Sequence, residues 1–240
     1  MSGKIFIIIP AFNVGPYMAD CLCSLTRQSY TQWQAVIVDD GSTDDTPRII
    51  NAFVQSDPRF TLLTHHTNKG QSAARNTALN YIGTQTGEYV TFLDADDYID
   101  YDYLHTLIQH INHYDVVQVG YKRFTDEGLI ISACAPKHFY RFTSACMRLY
   151  KKDFIRQVGS FPENMIYEDV IFSLQVWAHK PQYTILPYTG YNYRLNPTST
   201  TAEHNRKAQQ HLYHAIMHTK ASLWLKIYTI LRLKWHFTYE

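Results

Sequence analysis

Short apolar blocks alternate with amphipathic ones through the first 120 residues of the chain. Lys4 to Pro10 is an apolar run rich in β-branched residues, short enough for a buried strand. Pro16 stands where a first helical position favours proline, and the helix it opens is expected to reach Ser29. Gln34 to Asp39 predicts a second strand, followed by a helix through Ser56 with Thr43 or Asp44 as its cap. Phe60 to Thr64 predicts a third strand, Ser72 to Gln85 a third helix and Glu88 to Leu93 a fourth strand. Strands separated by helices imply right-handed crossovers, so the predicted fold class is α/β with a mostly parallel sheet flanked by helices.

Beyond that region the pattern is less regular. Val116 to Phe124 and Leu129 to Cys134 predict two further strands, joined as a hairpin across Thr125 to Gly128. Ser144 to Val158 and Tyr167 to His179 predict helices, and Tyr183 to Pro187 a short strand. From Glu203 onward the sequence reads as one or two helices. No internal repeat or low-complexity linker interrupts it.

Composition narrows the class. The chain has 240 residues, 45% hydrophobic and 18% charged, which suits one globular domain with a full core. A formal net charge of +1 gives no reason to expect nucleic acid as a partner. The Ile5 to Ile9 run is too short for a secretory signal, and no stretch approaches the roughly 20 apolar residues of a membrane span. Cys21, Cys23, Cys134 and Cys146 include no C-x-x-C pair, and side chains two apart on a helix diverge. Reduced thiols and a cytoplasmic location are expected, with no cysteine metal site.

Ligands of a parallel sheet gather beyond the carboxyl ends of its strands, and polar clusters fall there. The fourth strand ends Phe92-Leu93-Asp94-Ala95-Asp96-Asp97. Alternate residues of an extended chain face the same way, so Asp94 and Asp96 can converge on one point. Two hard oxygen ligands suit a divalent cation that keeps its other positions for water and phosphate. Three acids in four positions would also repel one another without a cation; solvated acids in a turn are the plainer alternative. The second strand ends Val38-Asp39-Asp40-Gly41-Ser42-Thr43-Asp44, where a carboxylate can accept the N–H of a nucleobase. A turn and cap alone account for Ser42 and Asp44 but not for two consecutive acids before Gly41. Asn68 to Asn76 opens the third helix, and its backbone N–H groups and Arg75 can meet phosphate or hold the acid cluster in place. Glu168 and Asp169 start a helix with an apolar face. Its dipole favours acids there in any case, and Asp169 is also placed to act as a general base.

In this order, Ile9-Pro10-Ala11-Phe12-Asn13, VDDGSTDDT from Val38, GQSAARN from Gly70, FLDADD from Phe92, YEDVIF from Tyr167 and YNYR from Tyr191 resemble the inverting family 2 glycosyltransferases with the GT-A fold. The match covers roughly residues 4 to 200. The resemblance implies a GT-A domain over 1–202, with a nucleotide-binding half to about 100 and an acceptor half over 101–202, and a helical C-terminal extension over 203–240. It also implies that Pro10, Phe12, Asn13 and Asp40 line the nucleotide pocket, with Arg75 beside the diphosphate. Asp94 and Asp96 match the metal motif for Mn²⁺ or Mg²⁺, Asp96 as the more direct ligand, and Asp169 matches the base. Arg194 and Ser199 fall where the family has a mobile segment near the pyrophosphate. Asp97 extends the metal motif by an acid whose role the resemblance does not supply.

The implied reaction moves a sugar from a nucleotide-sugar donor, with a UDP-sugar favoured by Asp40, to a hydroxyl of a glycan or glycolipid. A haloacid-dehalogenase-type phosphatase also carries Asp-x-Asp after a strand, but Tyr98 stands where that family has Thr or Val, and VDDGSTDDT would be unexplained. A nicotinamide dehydrogenase would need G-x-G-x-x-G after the first strand, which Pro10 to Gly15 is not. A non-catalytic carbohydrate-binding descendant is opposed by the joint presence of Arg75, Asp96 and Asp169. His211, His214 and His218 share a helix face but lack a second cluster to complete a zinc site. The tail from Lys220 mixes Trp224, Leu225, Ile227, Tyr228, Leu231, Leu233 and Trp235 with Lys226, Arg232 and Lys234. Peripheral contact with the inner face of a membrane, or packing on the domain or on a second copy as a homodimer, are its two readings.

Overall fold

The computed structural model of the protein describes residues 3–141, 143–195 and 206–239. The first half alternates as expected: β1 (Ile5–Ala11), α1 (Gly15–Thr26), β2 (Trp33–Asp39), α2 (Thr46–Ser56), β3 (Phe60–Thr64), α3 (Gln71–Gly83) and β4 (Tyr89–Phe92). A short β5 (Tyr98–Ile99) and α4 (Tyr103–His110) follow, then β6 (Val116–Gln118), β7 (Tyr121–Phe124), β8 (Ile130–Cys134) and β9 (Arg148–Lys151). The remainder comprises α5 (Lys152–Val158), α6 (Glu168–Ala178), β10 (Tyr183–Ile185), β11 (Tyr191–Arg194), α7 (Arg206–His218) and α8 (Leu223–Tyr239).

Seven strands form one sheet in the order β10-β6-β9-β4-β1-β2-β3. β1 is buried along its whole length and pairs in parallel with β2 and β4, placing Ile5 beside both Trp33 and Tyr89. Only β9 runs against its neighbours, between β4 and β6. The carboxyl ends of β1, β2 and β4 therefore open on one edge. A second sheet, β5-β11-β7-β8, begins directly after that edge, because β5 starts one residue past Asp97.

Two sequence expectations are corrected. Val116 to Phe124 is not one strand: it breaks at Val119-Gly120, and its halves join different sheets. Gly120 is required there, since a Cβ would lie 2.1 Å from the Cys134 carbonyl oxygen. Ser144 to Val158 is not one helix: Arg148–Lys151 is a strand, and α5 starts only at Lys152. Met147 is left-handed at φ 63°, which ends any helical run, and Leu149 and Tyr150 are fully buried between β4 and β6. Tertiary pairing overrides local propensity.

The core beneath the open edge is aromatic. Phe161 and Phe172 stack with centroids 3.9 Å apart, and Phe92 of β4 meets both edge-on at 5.3 and 5.9 Å. These rings fix β4, the loop after α5, and α6 against one another. Farther along, α7 and α8 pack on α6 and on each other, burying Leu212, Ile216, Leu225 and Leu233. Truncating Phe172 to Ala should remove about 3–5 kcal/mol of stability, the usual cost of deleting a buried aromatic ring. Urea unfolding of the two proteins measures this; a loss below about 1 kcal/mol would mean that the stack does not anchor the site.

Candidate active site

Two loops at the open edge are sewn together by side chains. Asn13 adopts φ 49°; its N–H donates to Ser42 Oγ at 3.0 Å, and its Oδ1 accepts the Thr43 N–H at 2.8 Å. Val14 N–H bonds Thr46 Oγ1 at 2.8 Å and Gly15 N–H bonds Asp44 Oδ2 at 3.0 Å. Asp44 also accepts the Thr46 N–H at the start of α2. Pro10 is buried and the Phe12 ring is exposed beside this seam. Of the residues expected in the nucleotide pocket, Asn13 thus shapes the loop and the Phe12 ring is open to solvent.

Asp40 is buried, and its carboxylate faces inward. It accepts the N–H groups of Lys69 (2.9 and 3.1 Å) and Gly70 (2.7 Å) and lies 2.6 Å from His65 Nδ1. His65 Nε2 in turn meets Thr77 Oγ1 at 2.9 Å. Gly41, at φ 77°, packs so closely on the 67–68 backbone that a Cβ would sit 3.0 Å from Thr67. The two consecutive acids after β2 therefore have separate duties: Asp39 Oδ1 caps the turn through Ser42 N–H at 3.1 Å, and Asp40 orders the glycine loop before α3.

Arg75, 1% exposed, is the centre of the site. Its Nη2 bonds Asp94 Oδ1 at 2.9 Å, and its Nη1 bonds both Glu168 Oε1 at 3.0 Å and Asp169 Oδ1 at 2.9 Å. Of the two roles that sequence left open for this arginine, the geometry displays the tether of the acid cluster. The guanidinium lies 5.1 Å over the Phe161 ring, so the aromatic core supports it from below. Burial pushes the Asp169 carboxyl up to about 7, against the opposing charge of Arg75 and with help from Glu168 and Asp94. The helix dipole expected to keep Asp169 ionised is outweighed by desolvation.

The chain past β4 does not stay extended. Asp97 N–H bonds the Asp94 carbonyl at 3.1 Å, closing a turn over Ala95 and Asp96. Asp94 and Asp96 remain half-buried while Ala95 and Asp97 are buried. Asp97 accepts the Tyr191 hydroxyl at 2.7 Å and the Arg194 N–H at 2.7 Å. Burial raises its pKa well above the carboxylate range, reinforced by Asp96 and Asp94. The third acid of the motif is thus a brace for β11. The repulsion expected among these acids is relieved in part by Arg75 on Asp94 and by the donors that Tyr191 and Arg194 give Asp97.

Arg194 is almost wholly buried, and its guanidinium reaches the Asp96 carbonyl (2.8 Å), Asp126 (3.0 Å) and Asp20 (3.0 Å). It clamps the turn to α1 and to the β7–β8 hairpin. Ser199 lies outside the described residues. The carboxylates of Asp94 and Asp96 are the hard donors a divalent cation would use; among the described residues no group of three or more His, Cys, Asp or Glu could hold one. Two carboxylates completed by phosphate and water fit Mn²⁺ or Mg²⁺.

Sequence reasoning did not single out His65, Gln71 or the Tyr191 hydroxyl. Gln71 Nε2 bonds Asp94 Oδ1 at 3.0 Å, and the Tyr191 hydroxyl also meets the Asp94 N–H at 3.3 Å. His65 carried a usable signal, as a polar residue directly after β3. The Tyr191 contact spans 94 to 97 residues of sequence and carried none.

The fold is an α/β sheet with acids and a glycine loop gathered at one edge, and comparison with known proteins gives the family. The family model "Glycosyl transferase family 2" matches residues 6–161, and the chain belongs to that family. Glycosyltransferase GlyA of Streptococcus pneumoniae is 41% identical over 132 residues, 54% of this chain and 18% of that protein. Matched segments make up between 18% and 65% of the curated relatives' own lengths. TarS of S. aureus, solved in complex with UDP-GlcNAc, superposes with a TM-score of 0.80 at 22% identity, covering 99% of this chain and 73% of that one. The mannosyltransferase PcManGT of Pyrobaculum calidifontis, in complex with GDP-Man and Mn²⁺, does so at 0.70 and 18%, covering 100% and 76%. The fold is GT-A.

Replacing Arg75 with Gln should cost about 3–5 kcal/mol, because three carboxylates are left without their cation. The loss should shrink as the pH falls toward 5 and Asp169, whose carboxyl is raised to about 7, takes up a proton. Urea unfolding at pH 5 and pH 8 measures both; a loss equal at the two values would rule out electrostatic tethering as Arg75's role.

Proposed function

We propose that the chain transfers a sugar from a nucleoside-diphosphate donor, a UDP-sugar, to a hydroxyl of a glycan or glycolipid acceptor, with inversion at the anomeric carbon. The observation that carries this reading is one guanidinium bonded to both Asp94 and Asp169. It ties the proposed proton acceptor to an acid of the expected metal motif. Membership of the family supports transfer as the reaction, and the TarS and PcManGT complexes support a nucleotide-sugar donor.

Phe12 and the backbone of the Asn13–Thr43 seam would border the base, with Pro10 beneath. Asp40, through Lys69 and Gly70, would hold the glycine loop in shape for the donor. Asp96 and Asp94 would hold a divalent cation, Mn²⁺ or Mg²⁺, which when bound supplies positive charge to the departing diphosphate. Asp169 accepts the acceptor's hydroxyl proton as that oxygen forms its bond to the anomeric carbon. The bond from that carbon to the diphosphate breaks on the opposite face, so the configuration inverts. Because the leaving group departs as a diphosphate, no protein acid has to protonate it. Tyr193, half-buried on β11, would border the acceptor half.

The reaction class is tested by Asp169→Asn, which keeps the side-chain size and removes proton acceptance. Transfer should fall by roughly a hundredfold or more while nucleotide binding persists, and Glu168→Gln should be milder. Unchanged transfer in Asp169→Asn, with a verified donor and acceptor, would end the single-displacement reading.

The acid with its pKa near 7 also sets a pH dependence. Activity needs the ionised form, so kcat/KM should rise with pH and level off above about 7. Stability runs the other way. A carboxyl whose pKa is raised in the folded state contributes stability below its unfolded value and loses it as pH climbs to about 7. A rate profile that falls across that window would exclude Asp169 as the base.

Nucleotide identity and the metal are read together by thermal shift with UDP, GDP, dTDP and CDP, each with and without Mn²⁺. UDP should stabilise most, EDTA should weaken it strongly, and Asp96→Ala should remove the metal dependence. Equal nucleotide affinity with and without metal would displace the cation from this proposal.

A further inference from the structure

The C-terminal helix has two faces of different character. Leu225, Thr229 and Leu233 recur every four residues and are buried, which anchors α8 on α6 and α7. On the other side Leu223, Trp224, Ile227 and Leu231 are between 47% and 66% exposed. Their spacing puts them on one stripe, since residues three, four and seven or eight apart share a helix face. Trp224 stacks on Tyr228 with centroids 5.5 Å apart at 13°, giving the stripe a flat aromatic surface. Met217 near the end of α7, 48% exposed, adjoins it: Lys226 Nζ bonds the Met217 carbonyl at 2.6 Å. The stripe is not core left half-covered, because the helix already buries its opposite face.

Charge says what covers it. Six of the chain's 22 basic residues fall within 206–239, and none of its 21 acidic residues does. The rest of the chain is correspondingly acidic. A second copy docked through the same face would bring two wholly basic segments together with no acid in either to compensate. An anionic headgroup layer complements that charge, while Trp224, Ile227 and Leu231 suit the boundary between headgroups and acyl chains. Among the described residues no helix is long and apolar enough to cross a membrane, so the contact is one of lying on the surface.

We propose that the outer face of α8, with the end of α7, docks on an anionic lipid bilayer. The inference stands apart from the proposed reaction, because it rests on surface residues that do not touch the candidate site. Its link to the site is mechanical: α8 packs on α6, whose first turn carries Asp169, so docking would hold the site in a set orientation over the membrane.

The test is flotation of the full chain with vesicles of phosphatidylcholine alone or mixed with phosphatidylglycerol. The chain should float with the mixed vesicles and not with the neutral ones. Raising the salt concentration should weaken binding. Trp224→Glu combined with Ile227→Glu should abolish flotation, and Lys220→Glu with Lys226→Glu should reduce it by roughly tenfold or more. All four positions avoid the buried face of α8, and an unchanged melting temperature confirms that the variants fold. Failure of the intact chain to float, or equal flotation with neutral vesicles, would overturn the proposal. So would a concentration-dependent dimer in light scattering that Trp224→Glu dissolves, since a second copy would then be the occupant.

Discussion

A single buried cation organises this molecule's chemistry. Arg75 reaches Asp94 with one terminal nitrogen and Glu168 and Asp169 with the other, joining α3, the end of β4 and the start of α6. Taking so many charges out of water is costly, and it is offset only because each carboxylate finds a donor of the guanidinium. Planar, forked geometry is needed for that, so a lysine's single ammonium could not replace it. Desolvation then acts on what remains and lifts the Asp169 carboxyl to about 7. One arrangement therefore sets both the position and the basicity of the proposed proton acceptor.

A second buried arginine handles the other side of the same turn. Arg194 binds the Asp96 carbonyl and the carboxylates of Asp20 and Asp126, and Tyr17 and Phe124 each lie 4.6 Å from its guanidinium. Asp97 closes the latch by accepting from Tyr191 and from the Arg194 backbone. The Asp94-to-Asp96 turn is thus gripped from α3 on one side and from β11 on the other. Two half-buried carboxylates are left at the front in a fixed geometry. Preorganisation of this kind would suit the diphosphate of the proposed donor, since the site need not reorganise as charge develops.

What could be read from the sequence follows from how local each signal was. The β1-to-β4 half was legible because buried parallel strands read as continuous apolar runs and α1 and α2 each open with a proline, although the cap of α2 falls at Asp45 and not at Thr43 or Asp44. The strand Arg148–Lys151 was not, because only its neighbours β4 and β6 make it a strand; by itself it continues a helical pattern. The six motifs marked the site's positions, yet the partners of each side chain stayed hidden. Asp40 meets His65 across 25 residues, Arg75 meets Asp169 across 94, and Arg194 meets Asp20 across 174. Composition and spacing could assign a type of chemistry to Asp97 or Arg75, but deciding between a ligand contact and an internal brace required these long-range distances.

α6 is where the three levels of organisation meet. Its buried face, with Phe172 stacked on Phe161, belongs to the core that supports β4. Its first turn delivers Glu168 and Asp169 to Arg75 from a left-handed Tyr167 at φ 66°, so the backbone turns sharply just before the acids. It also receives α7 and α8. A packed interior transmits displacement instead of absorbing it, so a force applied through α8 reaches α6 along continuous side-chain contact. Glu168 and Asp169 ride on α6, whereas Asp94 stands at the end of β4 and is held also by Gln71 and, through its N–H, by the Tyr191 hydroxyl. Displacement of α6 therefore bears first on the two acids of its own first turn, of which Asp169 is the proposed proton acceptor, while the Asp94-to-Asp96 turn is held separately by Arg194.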